Sequence, residues 1–164
     1  MNEYFNNNLE NPQFLFHGSP KKLDIIKPHQ ANDEDNNVEN IDNAIFLTSS
    51  LIVASAYAFK DSIKAMSSNL DWNFEIGRNP VTNEVFVTMD NVNVDDSLEG
   101  FVYVFPFDKT YYHEGRSIQY KCYKNIEPID IIKVRFVDFK RFYAIVILKQ
   151  ERAVIWQVRV KFIF

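Results

Sequence analysis

Apolar and polar positions alternate most plainly at the end of the chain. Trp156, Val158, Val160, Phe162 and Phe164 fall on one face of an extended segment, with Gln157, Arg159 and Lys161 on the other. Ile132, Val134 and Phe136 alternate with Lys133 and Arg135 in the same way. Residues 142–148 are apolar enough to pair with the tail through a turn at 150–152. Shorter runs at 14–16, 23–26, 44–48, 84–88, 101–105 and 117–123 predict further strands from their β-branched and aromatic content. One segment keeps a different period. After a serine cap at Ser49 or Ser50, the residues Ile52, Ala56, Phe59, Ile63 and Met66 recur at intervals of four and three, which predicts a helix with one buried stripe. Residues 29–43 read as a long acidic loop, and residues 1–12 as a loose, Asn-rich arm or a short helix. The pattern predicts one α+β domain over 1–164: one main helix and small ones on mainly antiparallel sheets.

Composition narrows the function. With 46% hydrophobic and 24% charged residues among 164, the chain buries a core and is not disordered as a whole. No apolar run approaches the ~20 residues of a membrane span, and the first residues lack a signal-peptide pattern, so a cytoplasmic location without membrane is expected. The single cysteine, Cys122, excludes an internal disulfide and a cysteine-zinc cluster. His17, His29 and His113 stand at no metal-ligand spacing, so no metal is expected. A net charge of -4 argues against general nucleic-acid binding. The charge is polarised, however: residues 121–164 hold ten Lys/Arg against four Asp/Glu. Lys133, Arg135, Arg159 and Lys161 on the last strands therefore form a candidate surface for an acidic partner. No GxGxxG or P-loop pattern is present to cradle a phosphate.

Three short segments carry candidate chemistry. His17-Gly18-Ser19 stands where a buried strand meets a turn; His17 offers a hydrogen bond to a hydroxyl, and Gly18 leaves room for a flat ligand. Phe46 on a strand and Tyr57 on the following helix are two rings able to sandwich a flat heteroaromatic ring. Ser117 and Gln119, two apart on a strand, share one face as a polar wall. Read locally, the first is more often a histidine bonded at a strand end and the second a core pair, while the third is equally a solvent-facing strand edge.

Taken in order, the three segments resemble the NAD-binding core of the ADP-ribosyltransferases of the diphtheria-toxin and poly(ADP-ribose) polymerase type. The resemblance runs over most of residues 13–136 through about a dozen positions: Leu15-Phe16-His17-Gly18-Ser19, then Phe46 and Tyr57 eleven residues apart, then Ser117-Ile118-Gln119-Tyr120. It implies that family's fold of split antiparallel sheets, with NAD+ as substrate and transfer of ADP-ribose to a protein or nucleic-acid acceptor. It implies that His17 holds a ribose hydroxyl, that Gly18 pairs its backbone with the nicotinamide carboxamide, and that Ser19 belongs to the same cofactor-binding set. It also implies that Phe46 and Tyr57 pack on the nicotinamide ring, that Ser117 supports the cleft wall, and that residues 29–43 lie over the donor.

Two positions depart from the family pattern. Phe46 stands where the family has tyrosine, and Gln119 where it has the catalytic glutamate. That glutamate hydrogen-bonds the ribose 2′-hydroxyl and stabilises positive charge as nicotinamide leaves. Gln119 keeps the shape and loses the charge; removing one such electrostatic contribution costs about 10²–10³-fold in rate. Glu114 is the one nearby carboxylate that could substitute. The resemblance thus carries two outcomes: a transferase of reduced activity, or a non-catalytic module binding NAD+ or ADP-ribose.

Overall fold

The computed structural model describes residue 4 and residues 7–30, 42–79, 81, 85–113, 117–142, 144–150 and 153–159; for Gln30 and for 140–159 it describes backbone alone. Eleven strands and two helices are resolved among these residues: β1 (Phe14–Ser19), β2 (His29–Gln30), β3 (Asn43–Thr48), α1 (Leu51–Met66), β4 (Asn73–Arg78), β5 (Val85–Asp90), β6 (Glu99–Pro106), β7 (Tyr112–His113), β8 (Gln119–Cys122), β9 (Asp130–Arg135), α2 (Phe136–Phe142), β10 (Ala144–Gln150) and β11 (Ala153–Arg159). One sheet runs β7-β8-β3-β1-β6-β9, with β2 against β3, and the other runs β10-β11-β5-β4. Every strand pairing is antiparallel, as the α+β expectation requires.

Helix α1 lies between the sheets because it carries two apolar stripes. The expected stripe holds for Ala56, Phe59 and Ile63, which pack with Val87, Met89, Phe136 and Phe139 on the side of the second sheet. Met66, in the last turn, is more than a third exposed. The second stripe is made of Leu51, Ala54 and Ala58, buried against Phe16, Val102 and Val104 of the first sheet. Its alanines give little hydrophobic signal in sequence, yet their small size lets the helix backbone approach the sheet. Ser50 caps the helix by accepting from the Val53 N–H at 3.4 Å, and the backbone N–H of Ser67 closes its other end on the carbonyls of Ile63 and Lys64.

The opposite face of the first sheet is a separate core of Leu15, Ile45, Leu47, Tyr103, Phe105, Tyr120 and Cys122, closed by Ile26 and Ile126. Cys122 is therefore a small core residue, as read. The strand expected at 23–26 contracts to one bridge, in which Ile26 and Ile126 exchange hydrogen bonds at 3.1 Å. Its neighbours are satisfied by a side chain instead: Tyr103 accepts from the Leu23 N–H and donates to the Lys21 carbonyl at 2.8 Å.

Other differences have local causes. The strand expected through Phe136 stops at Arg135, because the Phe136 N–H donates to the Leu98 carbonyl at 2.8 Å and opens α2. Strand β4 is absent from the expected set although Asn73, Phe74, Glu75 and Ile76 alternate exposed and half-buried; the pattern lasts only four residues before Gly77. Gln150 faces Ala153 across the expected terminal turn. Residues 160–164 lie outside the described residues, so the expected apolar face of the tail is described only as strand backbone up to Arg159. The arm expected to be loose is pinned at two residues. Asn7 donates to the carbonyls of Phe14 (2.8 Å) and Ser49 (2.9 Å) and accepts from the N–H groups of Gln13 and Phe14. Tyr4 packs edge-on against Phe14, with ring centroids 5.1 Å apart.

Candidate functional site

Strands β1 and β3 are neighbours that pair at one position only, Phe16 with Thr48. Beyond it β1 stays paired with β6 as far as Ser19, while β3 pairs with β8 from Thr48 back to Ile45. The first sheet therefore parts between β1 and β3. The parting is spanned by a side chain: His17 Nδ1 lies 2.9 Å from the Phe46 carbonyl oxygen. A carbonyl only accepts, so Nδ1 holds the proton and Nε2 of the neutral ring is an acceptor. Among the described residues Nε2 has no hydrogen-bond partner. Burial holds the His17 pKa below the usual histidine value; the Phe46 carbonyl opposes that effect, and nearby His29 adds to it. The ring is neutral at pH 7.

Gly18 has a role different from the one its sequence context implies. A Cβ there would lie 1.8 Å from the Ala54 carbonyl oxygen and 2.7 Å from the Ala58 nitrogen. The space of the missing side chain is filled by α1 rather than left open to a flat ligand. Tyr57 stands next to Ala58 on this helix, but its ring lies against Phe74 of β4, on the side of the second sheet. Tyr57 is 43% exposed. Its ring lies 5.9 Å from that of Phe74, and the Lys60 ammonium sits 5.7 Å from its centroid.

Strand alternation sorts the remaining residues. Ile45, Leu47, Tyr120 and Cys122 point into the core away from α1. Phe46, Thr48, Gln119 and Lys121 therefore take the α1 side of β3 and β8. His17 shares the opposite side with Leu15 and Tyr103, its ring 6.3 Å from the Tyr103 ring, and reaches Phe46 through the parting. Gln119 is paired with Thr48, which is paired with Phe16. Gln119 thus stands two strands from β1, on the order of 10 Å away.

Two residues of the expected set serve the backbone. Ser19 Oγ accepts from the Lys21 N–H at 3.2 Å and shapes the turn after β1. Ser117 precedes β8 instead of sharing a strand face with Gln119, and its Oγ accepts from the Gln119 N–H at 3.0 Å. Glu114 and residues 31–41, most of the expected donor loop, lie outside the described residues.

Sequence reading missed the group beside Phe46. Lys121 is paired with Phe46 on β3 and with Tyr112 on β7. Its ammonium lies 5.6 Å from the Phe46 ring centroid, 6.0 Å from that of Tyr112 and 3.5 Å from Asp42 Oδ2. Tyr123 donates to the same carboxylate oxygen at 2.8 Å, and this bond, ahead of Lys121, holds the Asp42 pKa below the usual carboxylate value. The signal is a lysine set between two core residues, Tyr120 and Cys122.

The basic surface has partners within the chain. Lys133 pairs with Glu99 at 2.8 Å and Arg135 with Asp138 at 2.6 Å; Lys161 and the Arg159 side chain lie outside the described residues. Among the described residues no group of three His, Cys, Asp or Glu could hold a metal ion, and no helix is long and apolar enough to cross a membrane. The structure places the imidazole acceptor on one face of the parted sheet and the Phe46 ring, the Gln119 amide and α1 with Tyr57 on the other; it does not bring the four side chains to one point. No protein-family model, curated protein or solved structure matches the chain.

Proposed function

We propose that this chain binds NAD+ at the parting of β1 and β3, and that it is an ADP-ribosyltransferase-like protein whose transfer step is slowed by Gln119. The observation that carries the reading is the parting itself: adjacent strands joined at a single pair, then spanned by a neutral histidine whose Nε2 is an acceptor. A parted sheet exposes strand backbone that a carboxamide is able to complete, since amide N–H and C=O match a ladder's needs. His17 Nε2 accepts a ribose hydroxyl. Phe46 and Tyr57 supply apolar faces for the nicotinamide ring.

In the transfer reaction the bond between the nicotinamide nitrogen and ribose C1′ breaks, and its electron pair leaves with nicotinamide. The acceptor nucleophile forms a new bond to C1′ and loses its proton. The ribose carries positive charge between these events. An amide at position 119 hydrogen-bonds a ribose hydroxyl but supplies no compensating charge and takes no proton. Binding outlasts catalysis in such a site.

The test is nicotinamide release from NAD+ by the full chain and by Gln119→Glu. The expected result is measurable NAD+ binding by both, with release at least ~10²-fold faster in the variant. Absence of both binding and release in the two proteins would overturn the reading. Equal binding with no release from either would leave a binding module and remove the transferase part.

A further inference from the structure

The group on the α1 side of β8 has a charge that the transfer chemistry does not use. Lys121 is nearly buried, its side chain 11% exposed, between the rings of Phe46 and Tyr112. An ammonium has three donors. Among the described residues its one charged partner is Asp42, at 3.5 Å, a distance longer than a good charge-assisted hydrogen bond. Asp42 is meanwhile bonded more closely by Tyr123, at 2.8 Å. A buried ammonium this loosely compensated retains strong affinity for an anion that reaches it. It lies on the same strand face as Gln119, two residues along, hence roughly 7 Å away, and over the ring of Phe46.

We infer that Lys121 is the anion anchor of the site, and that the ligand it selects carries a diphosphate, as NAD+ and ADP-ribose do. The inference rests on the NAD+ reading above and adds to it the residue that recognises the phosphates. The incoming phosphate oxygen replaces Asp42 as the partner of the ammonium, and Asp42 keeps its bond from Tyr123. The same positive charge stands roughly 7 Å from Gln119, the position at which the resembling family has its glutamate. Lys121 therefore opposes charge build-up on the ribose and favours retention of the intact anionic ligand over cleavage.

The experiment is calorimetric titration of the full chain with ADP-ribose, for the wild type, Lys121→Met and Asp42→Asn, at low and high salt. An anchor predicts effects of opposite sign. Lys121→Met weakens ADP-ribose binding on the order of 10–100-fold. Asp42→Asn removes the competitor and tightens it several-fold, and salt weakens the wild type more than Lys121→Met. A merely structural lysine predicts that both variants weaken binding, or that neither changes it, and either result overturns the inference. Should Lys121→Met fail to fold, the sign of the Asp42→Asn effect decides alone. ADP-ribose binding that ignores both positions defeats the anchor and leaves the NAD+ reading standing; no ADP-ribose or NAD+ binding by the wild type defeats both.

Discussion

Gly18→Ala tests how closely α1 is seated on β1. The added methyl would lie 1.8 Å from the Ala54 carbonyl oxygen, 2.7 Å from the Ala58 nitrogen and 2.9 Å from the Ala54 carbonyl carbon, whereas real Cβ atoms essentially never come within 3.0 Å of such neighbours. All three atoms belong to the helix backbone, so no rotamer change relieves the contact. The helix has to withdraw by more than about 1 Å, opening the packing of Leu51, Ala54 and Ala58 on Phe16, Val102 and Val104. Overpacking costs about 1–3 kcal/mol, and a backbone-to-backbone clash stands at the top of that range. For a chain of this length about 3 kcal/mol lowers Tm by roughly 6–12 °C. Gly77→Ala is the matched control: the atoms nearest its methyl belong to the Phe86 ring, which is able to turn aside, and the expected cost is under about 1 kcal/mol. Thermal unfolding followed by circular dichroism separates the two. If Gly18→Ala melts within 2 °C of the wild type, or the two variants melt alike, the helix is not seated as described.

Two further expectations follow from buried polar groups. Because burial lowers the His17 pKa, the folded chain binds fewer protons than the unfolded chain as pH falls below the ordinary histidine value. Stability then falls as pH drops from 7 toward 5.5, and His17→Gln flattens that part of the profile; urea unfolding at pH 7.5 and 5.5 measures the slope. Tyr103→Phe leaves the Leu23 N–H and the Lys21 carbonyl without their partner. About 1–3 kcal/mol of stability should be lost, with amide exchange accelerating selectively at residues 21–26, and an unchanged melting curve would contradict the role given to the hydroxyl.

Much of the scaffold was legible because its signals are strong and local. Serine before a four-three apolar stripe marked α1 almost to the residue, and the alternation of the tail marked the terminal hairpin. What escaped was set by tertiary contact. The Ala54–Ala58 stripe is too small to register as hydrophobic, although it decides where the helix sits. The glycine at position 18 marks a place where a side chain does not fit, but the occupant of the space is a helix carbonyl. Ser19 and Ser117 stand beside the expected site in sequence, but each hydroxyl holds a backbone N–H. Lys121 was missed because a lone lysine in a strand reads as a solvated position, and only the sheet register brings it between Phe46, Tyr112 and Asp42.

The chain has three histidines, which makes proton NMR of the imidazole Cε1–H signals a direct test of the central claim. On addition of NAD+ to the full chain, the His17 signal should shift and keep its low pKa, while that of His113, stacked on Tyr120, stays in place. If millimolar NAD+ leaves the His17 signal unmoved, the parting of β1 and β3 is not a dinucleotide site.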